Sequence, residues 1–248
     1  MKNFSNEQIK LLAEKVVSFI STGNNTSTIQ ILKPLLNTKY PFPKLDLLGK
    51  EISQSSTGEP DNFLKILDEI VDYNVMGGFV VVGQALIPLL ENDFEKVMTK
   101  SREYIVKGDK WYVCNIIGER SLGQALVKYF DKTLPWFEHF LKDENKWVKR
   151  SVGVAIHFFS KRVLTEPDKT KKLLNLIEPN IEEKQTDVVK GIGWGLKTIG
   201  RYHPDILVQF LKKQLKAKKR ISKLMMNKAM TYLDKDEKEV MKNYIQNL

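Results

Sequence analysis

Trp111, Asn115, Arg150 and Trp194 stand near the starts of consecutive helical segments in the basic half of the chain. Stacked helix pairs bring such positions onto one wall, where two indoles, a guanidinium and a carboxamide face a single groove. Aromatic faces attract cations and guanidinium groups bind phosphate oxygens. The combination therefore fits an electron-poor or phosphate-bearing ligand, with double-stranded DNA the leading candidate. Position 115 decides whether the groove does chemistry, because a carboxylate there stabilises a sugar cation by its charge and Asn115 does not. Other chemistry has little support. His139, His157 and His203 are scattered, and there is no H-E-x-x-H or paired C-x-x-C, so neither a metal site nor a cofactor is expected. No Ser, Cys or Lys nucleophile has a partner base. Gly191, Gly193 and Gly195 form a G-x-G-x-G run around Trp194, but without a preceding strand they read as close helix packing rather than a nucleotide loop.

The neighbours of these residues are cationic. Lys107 and Lys110 precede Trp111; Trp147 lies among Lys146, Lys149 and Arg150; Trp194 lies among Lys190, Lys197 and Arg201. From Ile206 to Leu233 there is no acidic residue, whereas Lys212, Lys213, Lys216, Lys218, Lys219, Arg220, Lys223 and Lys228 all fall there. Each tryptophan taken alone also reads as core packing, and the charge run as a solvated face. Cations recurring on the same helices as indoles favour phosphate contacts beside an open aromatic surface. Lys110, Lys149, Arg150, Lys190, Lys197, Lys219 and Arg220 are the expected DNA contacts.

The elements that must hold these side chains are helical. The chain has 248 residues, 42% hydrophobic and 28% charged, enough for one large domain over 1–248. Its 40 Lys and Arg against 30 Asp and Glu give a net charge of +10, which favours a polyanionic partner. The single Cys114 excludes an internal disulfide framework and reads as a small buried hydrophobe. Charges interleave the apolar residues of the N-terminal segment, so an amphipathic helix rather than a secretory signal is expected there. The run Val75 to Leu90 is shorter than the roughly 20 residues that span a bilayer and contains Gln84 and Pro88. It reads as a helix buried on all sides, with Gly77, Gly78 and Gly83 letting neighbours approach. A soluble, cytoplasmic and nucleoid-associated monomer without membrane contact is expected.

Period-2 alternation is almost absent and helical spacing fills nearly every window, which makes the protein all-α. Expected helices include 43–55, 75–90, 111–130 and 134–142, and Pro60, Pro135, Pro167 and Pro204 fall where helices should begin. A repeat is visible: Phe140, Leu141, Lys142 and Arg150 align with Phe210, Leu211, Lys212 and Arg220, an offset of 70 or two units of about 35 residues. Between them Val189 and Lys190 take the places of Val148 and Lys149. Helix pairs at this period stack as a HEAT-like repeat solenoid of antiparallel pairs, curved, whose second helices line a basic concave face.

Segments GDKWYVCNIIGERSLG (108–123), WVKRSVGVAIHFF (147–159) and DVVKGIGWGLKTIGRYHPD (187–205) resemble the corresponding helices of the bacterial DNA alkylation repair family. Its members are HEAT-like 3-methyladenine and 7-methylguanine glycosylases, and the likeness is specific over about 94–233. The resemblance implies that Trp111 and Trp194 contact the lesion-bearing deoxyribose and its phosphates, and that Arg150 holds the backbone. The family's catalytic Asp falls on Asn115, the main departure. A carboxylate ~4 Å from a sugar cation supplies about 4 kcal/mol at an effective dielectric of 20, roughly a thousandfold in rate. Asn115 loses most of that, and Glu119 and Asp109 nearby read as surface carboxylates. Three functions stay open: an alkylpurine glycosylase, a noncatalytic relative that binds DNA shape or branches, and a HEAT-type scaffold for an acidic partner.

Overall fold

The computed structural model describes residues 4–22, 25–54 and 60–246, and among them there is no strand. The fold is all-α, as the periodicity requires. The helices are α1 (Asn6–Thr22), α2 (Asn25–Leu36), α3 (Phe42–Ile52), α4 (Pro60–Asp72), α5 (Met76–Ala85), α6 (Leu89–Asn92), α7 (Phe94–Gly108) and α8 (Trp111–Ile117). After a π turn over Gly118–Leu122 come α9 (Gly123–Lys128), α10 (Phe130–Leu141), α11 (Lys146–Ser160), α12 (Pro167–Ile177), α13 (Thr186–Tyr202), α14 (Pro204–Lys216), α15 (Lys223–Ala229) and α16 (Lys235–Gln246). Position 55, the end of the helix expected over 43–55, lies outside the described residues. No helix of the described residues is long and apolar enough to cross a membrane. The chain divides into two compact units, Met1–Ser121 and Leu122–Leu248.

In the first unit α5 is the buried helix that its composition dictates, with Phe79, Val80, Val81 and Val82 fully covered. It stops at Ala85, and Leu89 starts a separate short helix, because Pro88 cannot supply the N–H that would carry α5 onward. The expected continuous helix over 111–130 is interrupted. Its π turn is held from two sides: Arg120 donates to both carboxylate oxygens of Asp46 at 2.7 and 3.1 Å, and the Ser121 and Ser101 hydroxyls pair at 2.8 Å in the core. Gly83 faces this arginine, since a Cβ there would lie 3.1 Å from Arg120 Cδ. One extra residue per turn is tolerated where side chains over-determine the distortion.

In the second unit the pairs α10/α11, α12/α13 and α14/α15 stack in two layers, first helices on first helices and second on second. This is a HEAT-like arrangement. Second helices begin at Lys146, Thr186 and Lys223, offsets of 40 and 37 residues, so the unit is slightly longer than the sequence alignment implies. The aligned Phe140 and Phe210 are both buried, as are Leu141 and Leu211. Each second helix carries a side-chain cap: Asn145 accepts from the Trp147 and Val148 amides, Gln185 from Asp187 and Val188, Ser222 from Met225. Pro60, Pro167 and Pro204 open α4, α12 and α14 as expected. Pro135 does not open α10, which starts at Phe130. Phe130 is buried with its ring 5.4 Å from that of Phe159, and this packing draws the chain into helix a turn before the proline.

The tightest approach joins α11 and α13. A Cβ on Gly153 would lie 2.2 Å from the carbonyl carbon and oxygen of Gly191, and one on Gly191 would lie 2.6 Å from the Arg150 carbonyl oxygen. Backbone therefore meets backbone, the packing that the G-x-G-x-G run was expected to serve. Every residue of α11 from Arg150 to Ser160 is buried.

Candidate functional site

On α13 the positions from 187 to 201 that escape burial are Asp187, Lys190, Trp194, Lys197 and Arg201, and every other residue in that stretch is buried. The spacing of three, four, three and four residues puts all five on one helical face. From Lys190 to Arg201 this stripe runs about 16 Å at 1.5 Å per residue. Asp187 at its start is already neutralised. Burial opposes its ionisation, but the hydrogen bond and charge of Lys146 at 3.0 Å, with Gln185 and Arg150, outweigh it and hold the carboxyl below its ordinary range. What remains is three cations around one indole.

Trp194 is half-buried, and one face of its ring is covered. The His157 imidazole stacks on it at 4.1 Å between centroids and 26° between planes. His157 Nδ1 in turn lies 2.6 Å from Thr198 Oγ1, and that hydroxyl donates to the Trp194 carbonyl at 3.1 Å. Burial, then the charges of Lys161, Arg162 and Lys197, push the imidazole down to about 3, so it is neutral near pH 7. The indole is thus backed on one face by a neutral ring, and the residue as a whole stays half-buried. A folded-state value below the ordinary 6.5 means that the unfolded chain binds the extra proton first. This contribution to stability is full above about pH 6.5 and is lost as pH falls toward about 3. Wild-type protein should lose at most about 2 kcal/mol between pH 6.5 and pH 5 from this group, and His157→Phe should lose less over that interval in denaturant melts. Equal losses in the two proteins would remove the assignment.

Other sequence-predicted residues are placed as follows. Arg150 is buried, its Nη1 donating to the Asp187 carbonyl at 3.4 Å and its guanidinium 6.0 Å from the Trp147 ring. Trp147, expected as an open indole, is buried beneath Lys146, whose ammonium sits 4.4 Å from the ring centroid. Lys149 is half-buried on α11 and Lys190 is exposed. Lys219 and Arg220 are gathered by Glu182: Lys219 Nζ lies 3.0 Å from its carboxylate and the Arg220 amide donates to it at 2.8 Å. That amide, then Lys219, lowers the Glu182 carboxyl. In the first unit, Trp111 is exposed and stands one turn before the half-buried Asn115 on the same face of α8. The Cys114 thiol donates to the Trp111 carbonyl at 3.1 Å and lies 3.6 Å from Asn115 Oδ1. Lys110 is exposed, its ammonium 5.8 Å from the Tyr112 ring. The π turn begins at Gly118 and breaks the α-helical register that would set Glu119 above Asn115.

Two participants went unrecognised in the sequence, His157 behind Trp194 and Tyr232, while Lys228 on α15 figured only as one of the acid-free run of cations. The Tyr232 ring is exposed and lies 4.9 Å from the Lys197 ammonium and 5.1 Å from the Arg201 guanidinium. A signal existed for the first. Lys146 pairs with Asp187 and His157 with Thr198, both 41 residues apart, the same offset that aligns Val148 with Val189. Residues one repeat apart stand side by side across α11 and α13.

Among the described residues no group of three or more His, Cys, Asp or Glu side chains is placed to hold a metal ion. No curated protein and no solved structure matches the chain. One family does, and its match reaches back to α3, well before the segments whose likeness is visible by eye. A family model described as DNA alkylation repair enzyme covers residues 40–233. Since that span takes in most of the chain and the whole of the α11 to α15 stack, this protein belongs to the DNA alkylation repair enzyme family.

Proposed function

We propose that the protein binds duplex DNA through the exposed face of α13, with Lys190, Lys197 and Arg201 on phosphates and the Trp194 indole against the sugar-phosphate chain. The observation that carries this reading is that every uncovered position of α13 from Lys190 to Arg201 is a cation or the indole. B-DNA carries one charge per ~1.7 Å of axis, so a stripe of about 16 Å has several phosphates within reach. Arg150 lies behind the stripe and holds the Asp187 carbonyl, which makes it a support for the α11–α13 pair as well as a source of positive field. Lys110, Lys149, Lys219 and Arg220 belong to this reading as outlying cations.

Family membership supports action on alkylated DNA. A purine alkylated at N3 or N7 is already a cationic leaving group, so its excision needs little acid catalysis and chiefly needs a stabilised sugar cation. Trp111 offers an indole face for that, worth about 0.5 to 2 kcal/mol. Asn115 offers a hydrogen bond and a site for water but no charge. The site is therefore suited to binding with weakened N-glycosidic hydrolysis rather than to full glycosylase activity. The test is a triple substitution, Lys190→Ala, Lys197→Ala and Arg201→Ala, measured by fluorescence anisotropy on a short duplex. At least a hundredfold loss of affinity is expected. Equal loss in a control carrying Lys212→Ala, Lys216→Ala and Lys218→Ala would reduce the stripe to general charge.

A further inference from the structure

Two glycines on α13 let cations from neighbouring helices close on the stripe. At 100° per residue Gly191 and Gly193 flank Lys190 on opposite sides, Gly191 toward α11 and Gly193 toward α15. A Cβ on Gly191 would lie 2.7 Å from Arg150 Cγ, and one on Gly193 would lie 2.8 Å from Lys228 Cδ and 3.1 Å from its Cβ. The stem of Lys228 thus lies across α13 where a side chain would otherwise stand, level with the Lys190 to Lys197 step. We infer that Lys228, Lys190 and Lys197, with Arg150 behind them, form a seat for a phosphate-class oxyanion at the α13–α15 edge. It deepens the DNA-binding reading and rests on it for one of two sources of that anion, a backbone phosphodiester or free phosphate.

Among the described residues the charges that act on Lys228 are all cations. Burial, then Lys197, Arg150 and Lys190, push its amine below the ordinary lysine value. The glycine contacts bring Arg150 and Lys228 up to the Lys190 and Lys197 of α13 itself, these four cations repel one another, and a bound oxyanion relieves that repulsion. Stems held by packing lose less freedom on binding than free surface lysines do. The neighbouring Lys219 differs, since the Glu182 carboxylate at 3.0 Å already supplies its counter-charge.

The probes are inorganic phosphate and a short DNA duplex. Followed by side-chain NMR of the lysine ammonium groups, phosphate should raise the titration midpoint of Lys228, whereas chloride at equal ionic strength should not. Lys228→Met, which keeps the stem over Gly193, should abolish the phosphate response seen at Lys190 and Lys197, and Lys228→Arg should retain it. On duplex, Lys228→Met should weaken binding about tenfold and make the slope of log K against log salt shallower by about 0.9. A phosphate response with an unchanged duplex slope assigns the seat to free phosphate and counts against the DNA reading. A changed slope without a response to free phosphate assigns it to the DNA backbone. No response beyond chloride, together with an unchanged slope, overturns the seat even where wild-type protein binds DNA with steep salt dependence.

Discussion

Gly153→Ala is expected to destabilise the second unit by about 3 kcal/mol or more, among the larger effects a single methyl can have. The added carbon would stand 2.2 Å from the Gly191 carbonyl and 2.5 Å from the Ile192 nitrogen, with backbone rather than a flexible side chain in the way. Relief requires α11 and α13 to separate, and their separation would loosen the Lys146–Asp187 pair and the His157–Trp194 stack together. Thermal unfolding of wild type and variant checks this. A melting point within a degree or two of wild type would mean that the two backbones do not meet. Gly195→Ala, whose Cβ would come within 3.0 Å of the Gly153 carbonyl, should show the same direction with a smaller size.

Asn115→Asp is expected to raise excision of 3-methyladenine or 7-methylguanine from alkylated duplex by about a hundredfold. The full Coulomb gain at ~4 Å, about 4 kcal/mol at a dielectric of 20, is an upper value. Asn115 is half-buried beside an exposed Trp111, so water screens part of the charge and the gain falls short of a thousandfold. The helix is prepared for the change, because position 115 follows Trp111 by one turn and the π turn beyond it is fixed by Arg120 and Ser121. Single-turnover release of methylated base, wild type against variant, is the measurement. No increase would mean that α8 does not meet a reacting sugar.

Much of the fold could be read from the chain because its signals are local. Prolines 60, 167 and 204 mark helix starts by lacking an N–H that the first turn does not use. Phe140 and Phe210 occupy equivalent buried places because the repeat returns them to the same layer. Elsewhere tertiary contacts overrule local preference. Phe130 packs on Phe159 and starts α10 ahead of Pro135. Arg120 and Ser121 find partners in α3 and α7, and the helix widens to let them. Of the candidate site, Lys190, Lys197 and Arg201 stand out in the sequence as cations neighbouring the Trp194 indole. The places of Trp147 and Arg150 do not: only packing of α11 against α13 decides that the first is covered and that the second spans to the Asp187 carbonyl. His157 looked like an isolated histidine because its partners are a full repeat away.

The central claim is that phosphates lie along the α13 stripe, and the most direct measurement is the salt dependence of duplex affinity for wild type beside the Lys190, Lys197 and Arg201 triple variant. Each phosphate neutralised contributes about 0.9 to the slope of log K against log salt. Wild type should therefore show a slope of about −3 or steeper, and the triple variant should lose close to all of the share owed to three cations. A flat wild-type profile, or equal slopes in the two proteins, would contradict the account.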